Sequence, residues 1–310
     1  MSSTVLTSPD LLRIIFVSQH GLSEDLLPFR PFLRRSLDTD APFDTVQLSL
    51  RAFGRVFAPW FDAHDGQLDL LPHAAMSWAL SYATFTGDLL LLQSCSHLPL
   101  PRAVVDVAAA CNHLHIVEAL CAAPASVRAM DWAAQENHVS MLRFLRRHRR
   151  EGCSNRAAAW AAARGHFVAL RFLVSENLAT NASDALTWAA MHGHLECVGL
   201  LNDVGFDCTT VAMDMAAHNG HLEVVQFLHM HRREGCTTNA MDFAAKHGHL
   251  EVVQFLHAHR REGCTTAALY DAQARGHSEV VQFLTARYPA LVAPPVALAP
   301  QCHHWTLSVS

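Results

Sequence analysis

The dipeptide Gly-His, or its Asn-His variant, returns along this chain at a nearly constant interval, and that periodicity narrows the possible folds more than any other feature. Anchored on the histidine, the copies fall at His113, His138, His166, His194, His221, His249 and His277, with gaps of 25, 28, 28, 27, 28 and 28 residues. One further copy precedes them, where "TGDLLLLQ" puts Asp88 at the anchor. Eight copies therefore cover residues 75–287, and units this short must stack on one another to bury a core.

Each copy reads as two helices. "TTNAMDFAAKHG" opens on Thr237 and Thr238, which suit an N-cap, and runs through small and apolar residues to Gly248. "LEVVQFLHAHRREG" follows with Leu250, Val253 and Leu256 at helical spacing, Val252 and Phe255 widening the stripe. Glu251 in its first turn and Arg260 and Arg261 in its last suit the helix dipole. The column between the helices holds only glycine or, at Asn112 and Asn137, asparagine. Both tolerate a left-handed backbone, so a tight turn is expected there.

"AAKHGHLEVVQFL", "AARGHFVALRFL" and "AAMHGHLECVGLL" resemble the second half of an ankyrin repeat, in eight copies over about two-thirds of the chain. The unit departs from the family pattern in being about 28 residues long rather than about 33, with "TWAA", "MDFA" and "MDWA" where T-P-L-H would stand. The missing residues match the family's projecting β-hairpin finger, so stunted or absent fingers are expected. The fold implied is an all-α solenoid of about eight helix-turn-helix repeats. The chain then divides into an N-terminal helical region (1–74), the array (75–287) and a proline-rich C-terminal tail (288–310).

The repeated polar residues suit packing better than chemistry. Members of the Gly-His column stack about one helix pair apart, roughly 8–10 Å, whereas zinc draws its ligands to about 2.0–2.3 Å. The resemblance implies instead that this histidine ties neighbouring loops together by hydrogen bonds. His229/His231 and His257/His259 lie two residues apart, on different helix faces, and read as solvated helix ends. Cys208, Cys236 and Cys264 recur one repeat apart, too far for a disulfide, and read as half-buried turn residues. The arginines of "RRHRRE" (Arg146, Arg147, Arg149, Arg150), of Arg232/Arg233 and of Arg260/Arg261 complement helix-end carbonyls, or else dock an acidic partner or act as an import signal. No metal or cofactor is expected.

Function is then sought in columns that change between copies. In the first helix these lie at i, i+3 and i+7, on one face. Their candidate partner-binding members are Arg128, Arg156, Asp184 and Asn239 in the first column. The second supplies Asp131, Thr187, Asp214, Asp242 and Tyr270, and the third Gln135, His218 and Lys246. By resemblance this face lines the concave side of the stack and receives a protein or peptide. An ordinary polar surface is the competing reading.

Composition agrees with a non-enzymatic interaction protein. A net charge of −5 gives no bulk attraction to nucleic acid or an anionic membrane. No G-x-S-x-G, P-loop, H-E-x-x-H or G-x-G-x-x-G motif occurs. Nine cysteines spread over 310 residues do not form a secreted disulfide framework, the N-terminus is a poor signal peptide, and no apolar run is long enough for a membrane span. A monomer in the cytosol or nucleus is expected. "SPDLLRIIF" and "EDLLPFRPFLRRSL", between Ser8 and Leu37, weakly resemble an F-box, which would make the chain a substrate receptor of a cullin-type ubiquitin ligase. In that case the rarity of lysine (only Lys246) acquires a reason. A helical cap over the first repeat is the alternative.

Overall fold

The computed structural model describes residues 24–33, 37–38, 40–94, 100–179 and 183–291. Most of the F-box-like stretch lies outside these residues, as do Pro99 and the tail beyond Leu291 with Cys302, His303 and His304. Every regular element among the described residues is helical. The contacts group into two compact units, residues 1–185 and 186–310, divided within one helix.

The first unit begins with a 3-10 segment, Glu24–Phe29, followed by α1 (Arg30–Leu33) and the long α2 (Phe43–Ala63). Helix pairs follow: α3 (His73–Thr86) with α4 (Leu89–Ser94), α5 (Arg102–Ala110) with α6 (Leu114–Ala119), α7 (Arg128–Gln135) with α8 (Val139–His148), and α9 (Asn155–Ala163) with α10 (Phe167–Ser175). The divided helix is α11 (Ser183–Met191), paired with α12 (Leu195–Val204). In the second unit α13 (Thr210–His218) pairs with α14 (Leu222–His231), α15 (Thr238–Lys246) with α16 (Leu250–His259), and α17 (Thr266–Ala274) with α18 (Ser278–Arg287). Within each unit first helices pack on first helices and second on second, α5 on α7 on α9 and α14 on α16 on α18. This is the serial stacking of an all-α solenoid.

The turn chemistry explains why each pair closes alike. Gly165, Gly193, Gly220, Gly248 and Gly276 all have φ between 71° and 79°, and Asn112 and Asn137 sit at 59°. The next residue's N–H then bonds back across the turn: His166 to the Ala161 carbonyl at 2.9 Å, His221 to Ala216 at 3.0 Å, His249 to Ala244 at 2.9 Å. This is the six-to-one bond of a Schellman ending, which satisfies carbonyls the helix leaves open. The receiving alanine belongs to a buried Ala-Ala pair, such as Ala216 and Ala217, both 0 % exposed. Small residues there let consecutive first helices approach closely. Second helices supply the larger core groups, among them Val224, Val225 and Leu228, each worth about 1.5–3 kcal/mol when buried.

Amphipathic α2 buries Val46, Leu50, Phe53, Phe57 and Trp60 along one face. Phe53 stacks on Trp78 at 5.9 Å between ring centroids, and Phe57 meets Tyr82 at 5.8 Å. Gly54 is required there, since a Cβ would lie 2.2 Å from the Tyr82 ring. The long helix thus lies directly on α3.

Candidate protein-interaction face

The three irregular columns of the first helices do not share one fate. The sequence reading placed all of them at the surface, and this needs correction for Asp131, Gln135, Asp214 and Asp242, which are 0 %, 1 %, 3 % and 8 % exposed. The aspartates stitch one copy to the next. Asp214 accepts the Thr237 N–H at 2.8 Å and its hydroxyl at 2.7 Å, and Asp242 accepts the same two groups of Thr265 at 2.8 and 2.7 Å. Asp131 does so with Ser154 at 2.7 and 2.6 Å, and Asp106 with Ser126 at 2.9 and 2.6 Å. Each Ser or Thr then caps its own helix, as Thr237 does by accepting the Asn239 N–H at 3.1 Å. One carboxylate therefore fixes both the spacing of two repeats and the start of a helix. Burial pushes the Asp106 carboxyl up to about 6 and raises that of Asp131, against the downward pull of these bonds.

The repeated histidines tie the loops as the resemblance implied. His138 Nε2 lies 3.0 Å from the Ala110 carbonyl, His249 Nε2 3.1 Å from that of His218, and His277 Nε2 3.1 Å from that of Lys246. Two other groups of basic residues depart from expectation. His229 and His257 are half-buried rather than solvated. His229 packs edge-on against Phe255 at 5.6 Å, and His257 against Phe283 at 5.5 Å, each in the following copy. The arginine opening each "RREG" turn also reaches a neighbouring repeat: Arg149 donates to the Cys121 and Ala123 carbonyls at 2.9 and 2.6 Å, and Arg232 to Phe206 at 3.0 Å. The cysteines beside these turns are poor nucleophiles, since burial pushes the Cys153, Cys236 and Cys264 thiols up to about 11. Among the described residues no three His, Cys, Asp or Glu side chains are grouped to hold a metal ion.

What remains exposed differs between the units. In the first, Arg128 is half-buried beside Asp131 and Arg156 is exposed with its guanidinium 5.9 Å from the Trp160 ring centroid. Gln135 is not turned to solvent: its Oε1 accepts the Phe43 N–H at 3.0 Å. Asp184 is exposed. In the second unit Thr187 is half-buried and Asn239 exposed. Lys246 pairs with Asp271 at 3.3 Å, and Tyr270 is 70 % exposed. Beside them runs an apolar column absent from the candidate residues above: Trp188, 44 % exposed, then Met215 and Phe243, both half-buried. Its signal was the aromatic residue recurring at Trp132, Trp160 and Trp188, one position after the second column.

His218 meets the Phe243 ring edge-on at 5.2 Å and lies tilted against His247 at 4.3 Å, and His249 lies 6.2 Å from His247. Burial, then the neighbouring imidazoles, lowers the pKa of His218 and His249 below the ordinary 6.5. The folded state therefore binds fewer protons than the unfolded one just below pH 6.5. The stability from the neutral rings is present above that value and lost as pH falls through the depressed pKa values. Amide protection factors across 210–277 are expected to fall between pH 7.5 and 5.5, and His218→Asn is expected to flatten that dependence.

Two family models match the chain: one for ankyrin repeats in three copies over residues 130–214, and one for ankyrin repeats in many copies over residues 213–257. No curated protein matches it. Ankyrin repeats generally mediate protein–protein interaction and are typically non-enzymatic scaffolds. Among the described residues no helix is long and apolar enough to cross a membrane. Residues 130–257 of this chain are ankyrin repeats.

Proposed function

We propose that the chain is an interaction scaffold that receives a partner polypeptide on the first-helix face of its second unit. The observation that carries this reading is the exposure of Trp188, Val211 and Tyr270, at 44 %, 47 % and 70 %, on α11, α13 and α17, with Asn239 and Lys246 on the intervening α15. Large rings at low conformational cost, flanked by a few polar groups, suit a protein surface better than a small ligand. A face held rigid by inter-repeat bonds loses little entropy when a partner docks.

Proximity labelling in the native cell tests this directly. Trp188→Ala/Tyr270→Ala is expected to remove a defined set of labelled proteins at unchanged thermal midpoint. His231→Ala/His259→Ala, at exposed ends of second helices, is expected to retain that set. Loss with the histidine pair and retention with the aromatic pair would move the partner to the basic turns.

A further inference from the structure

In the first unit a segment of the chain already lies on the corresponding face. Residues 40–44, Asp-Ala-Pro-Phe-Asp, lie against α7 and α9: Asp40 and Ala41 form a turn, Pro42 is extended at φ −56° and ψ 149°, and Phe43 and Asp44 open α2. The Ala41 carbonyl accepts the Trp132 Nε1–H at 3.2 Å, and the Asp40 carbonyl accepts from Arg156 at 2.6 Å. Phe43, only 3 % exposed, gives its N–H to Gln135 and sets its ring 5.5 Å from that of Trp132. The Asp40 carboxylate meets the Arg128 guanidinium, and that of Asp44 meets Arg164. Main-chain bonds, one aromatic anchor and flanking charge pairs are common means of holding a peptide.

The anchorage is uneven. Asp40 and Asp44 are 81 % and 61 % exposed, and ion pairs so exposed contribute little. Phe43 and the two carbonyl bonds do most of the holding. Beneath them lie groups that suit any chain of this composition: an indole N–H, a buried amide oxygen and three guanidinium groups.

We infer that the face formed by Arg128, Trp132, Gln135, Arg156 and Arg164 is a peptide site, closed in cis by residues 40–44, that takes in trans an acidic segment bearing phenylalanine. A carboxylate three residues before the ring meets Arg128, and one directly after it meets Arg164. This site lies wholly within residues 1–185 and stands or falls apart from the second-unit face. A trans peptide competes with a tethered copy whose effective concentration is on the order of millimolar, so weakening the tethered copy raises apparent affinity for the other.

The probe is a fluorescein-labelled peptide of residues 38–48, titrated by anisotropy against the full chain at low salt. Asp40→Asn/Asp44→Asn, at exposed carboxylates, is expected to bind it about threefold tighter than the unaltered chain. Phe43→Ala is expected to bind tighter still. Arg128→Glu/Arg164→Glu added to the Asn pair is expected to abolish binding, as is a peptide lacking the phenylalanine ring. The proposal is overturned if the Asn pair, with an unchanged thermal midpoint, binds no peptide, or if all chains bind it equally. A Phe43→Ala chain that fails to fold leaves the decision with the Asn pair.

Discussion

Exchanging Asp214 or Asp242 for lysine is expected to destabilise the repeats by about 3–5 kcal/mol, the effect of leaving a buried site with the wrong charge and no partner. The carboxylate of Asp242 accepts two bonds from Thr265, and Asp214 two from Thr237. Lysine there removes both bonds, strands a backbone N–H at the start of the next helix and puts an ammonium where a carboxylate sat. Asp242→Ala, which adds no charge, is expected to cost about 2 kcal/mol. Asn239 is exposed in the neighbouring column, so Asn239→Lys is expected to change stability by no more than about 0.5 kcal/mol. Urea unfolding followed by circular dichroism separates the three. A chain carrying Asp242→Lys with an unshifted midpoint would show that this column is free surface after all.

The turn glycines should divide by what lies against them. Gly263 has φ 70° with open space where a Cβ would be, so Gly263→Ala is expected to cost only the left-handed strain, about 1–2 kcal/mol. Gly220 has φ 78°, and its Cβ would lie 2.5 Å from His249 Nδ1. Gly220→Ala must therefore also push the imidazole away and break its bond to the His218 carbonyl. The expected cost is about 3 kcal/mol, strain plus a lost buried hydrogen bond. The same denaturation experiment checks it. Equal costs at the two positions would mean that the loop-tying histidine contributes nothing to stability.

These contrasts mark where the sequence was readable. The Gly/Asn column required a positive φ, and Asn112 and Asn137 adopt it at 59°. Thr237 caps its helix as its residue type suggested. Such features are local, set by one residue's own backbone and repeated until unmistakable. The aspartate column was misread because variation between copies was equated with freedom from the fold. That inference fails where two positions vary together: aspartate faces Ser or Thr one copy on, whereas Ala159 is followed at the corresponding place by Ala182. The partner lies 20–23 residues away, so a pairwise comparison between copies would have found it. Nothing comparable announced residues 40–44. Their bonds span sequence separations of 88 to 120 residues and join a non-repeating segment to a repeating one. The inward turn of His229 was hidden for a related reason, since its companion Phe255 looked like a core residue of its own helix.

The claim on which the rest depends is that a carboxylate of one ankyrin repeat and the cap of the next form one unit, leaving only the remaining columns for a partner. A double-mutant cycle on Asp242→Ala and Thr265→Val tests it most directly. The account expects a coupling of about 1.5–3 kcal/mol, the range for hydrogen bonds to a charged group. Additive losses, with a coupling within about 0.5 kcal/mol of zero, would contradict it.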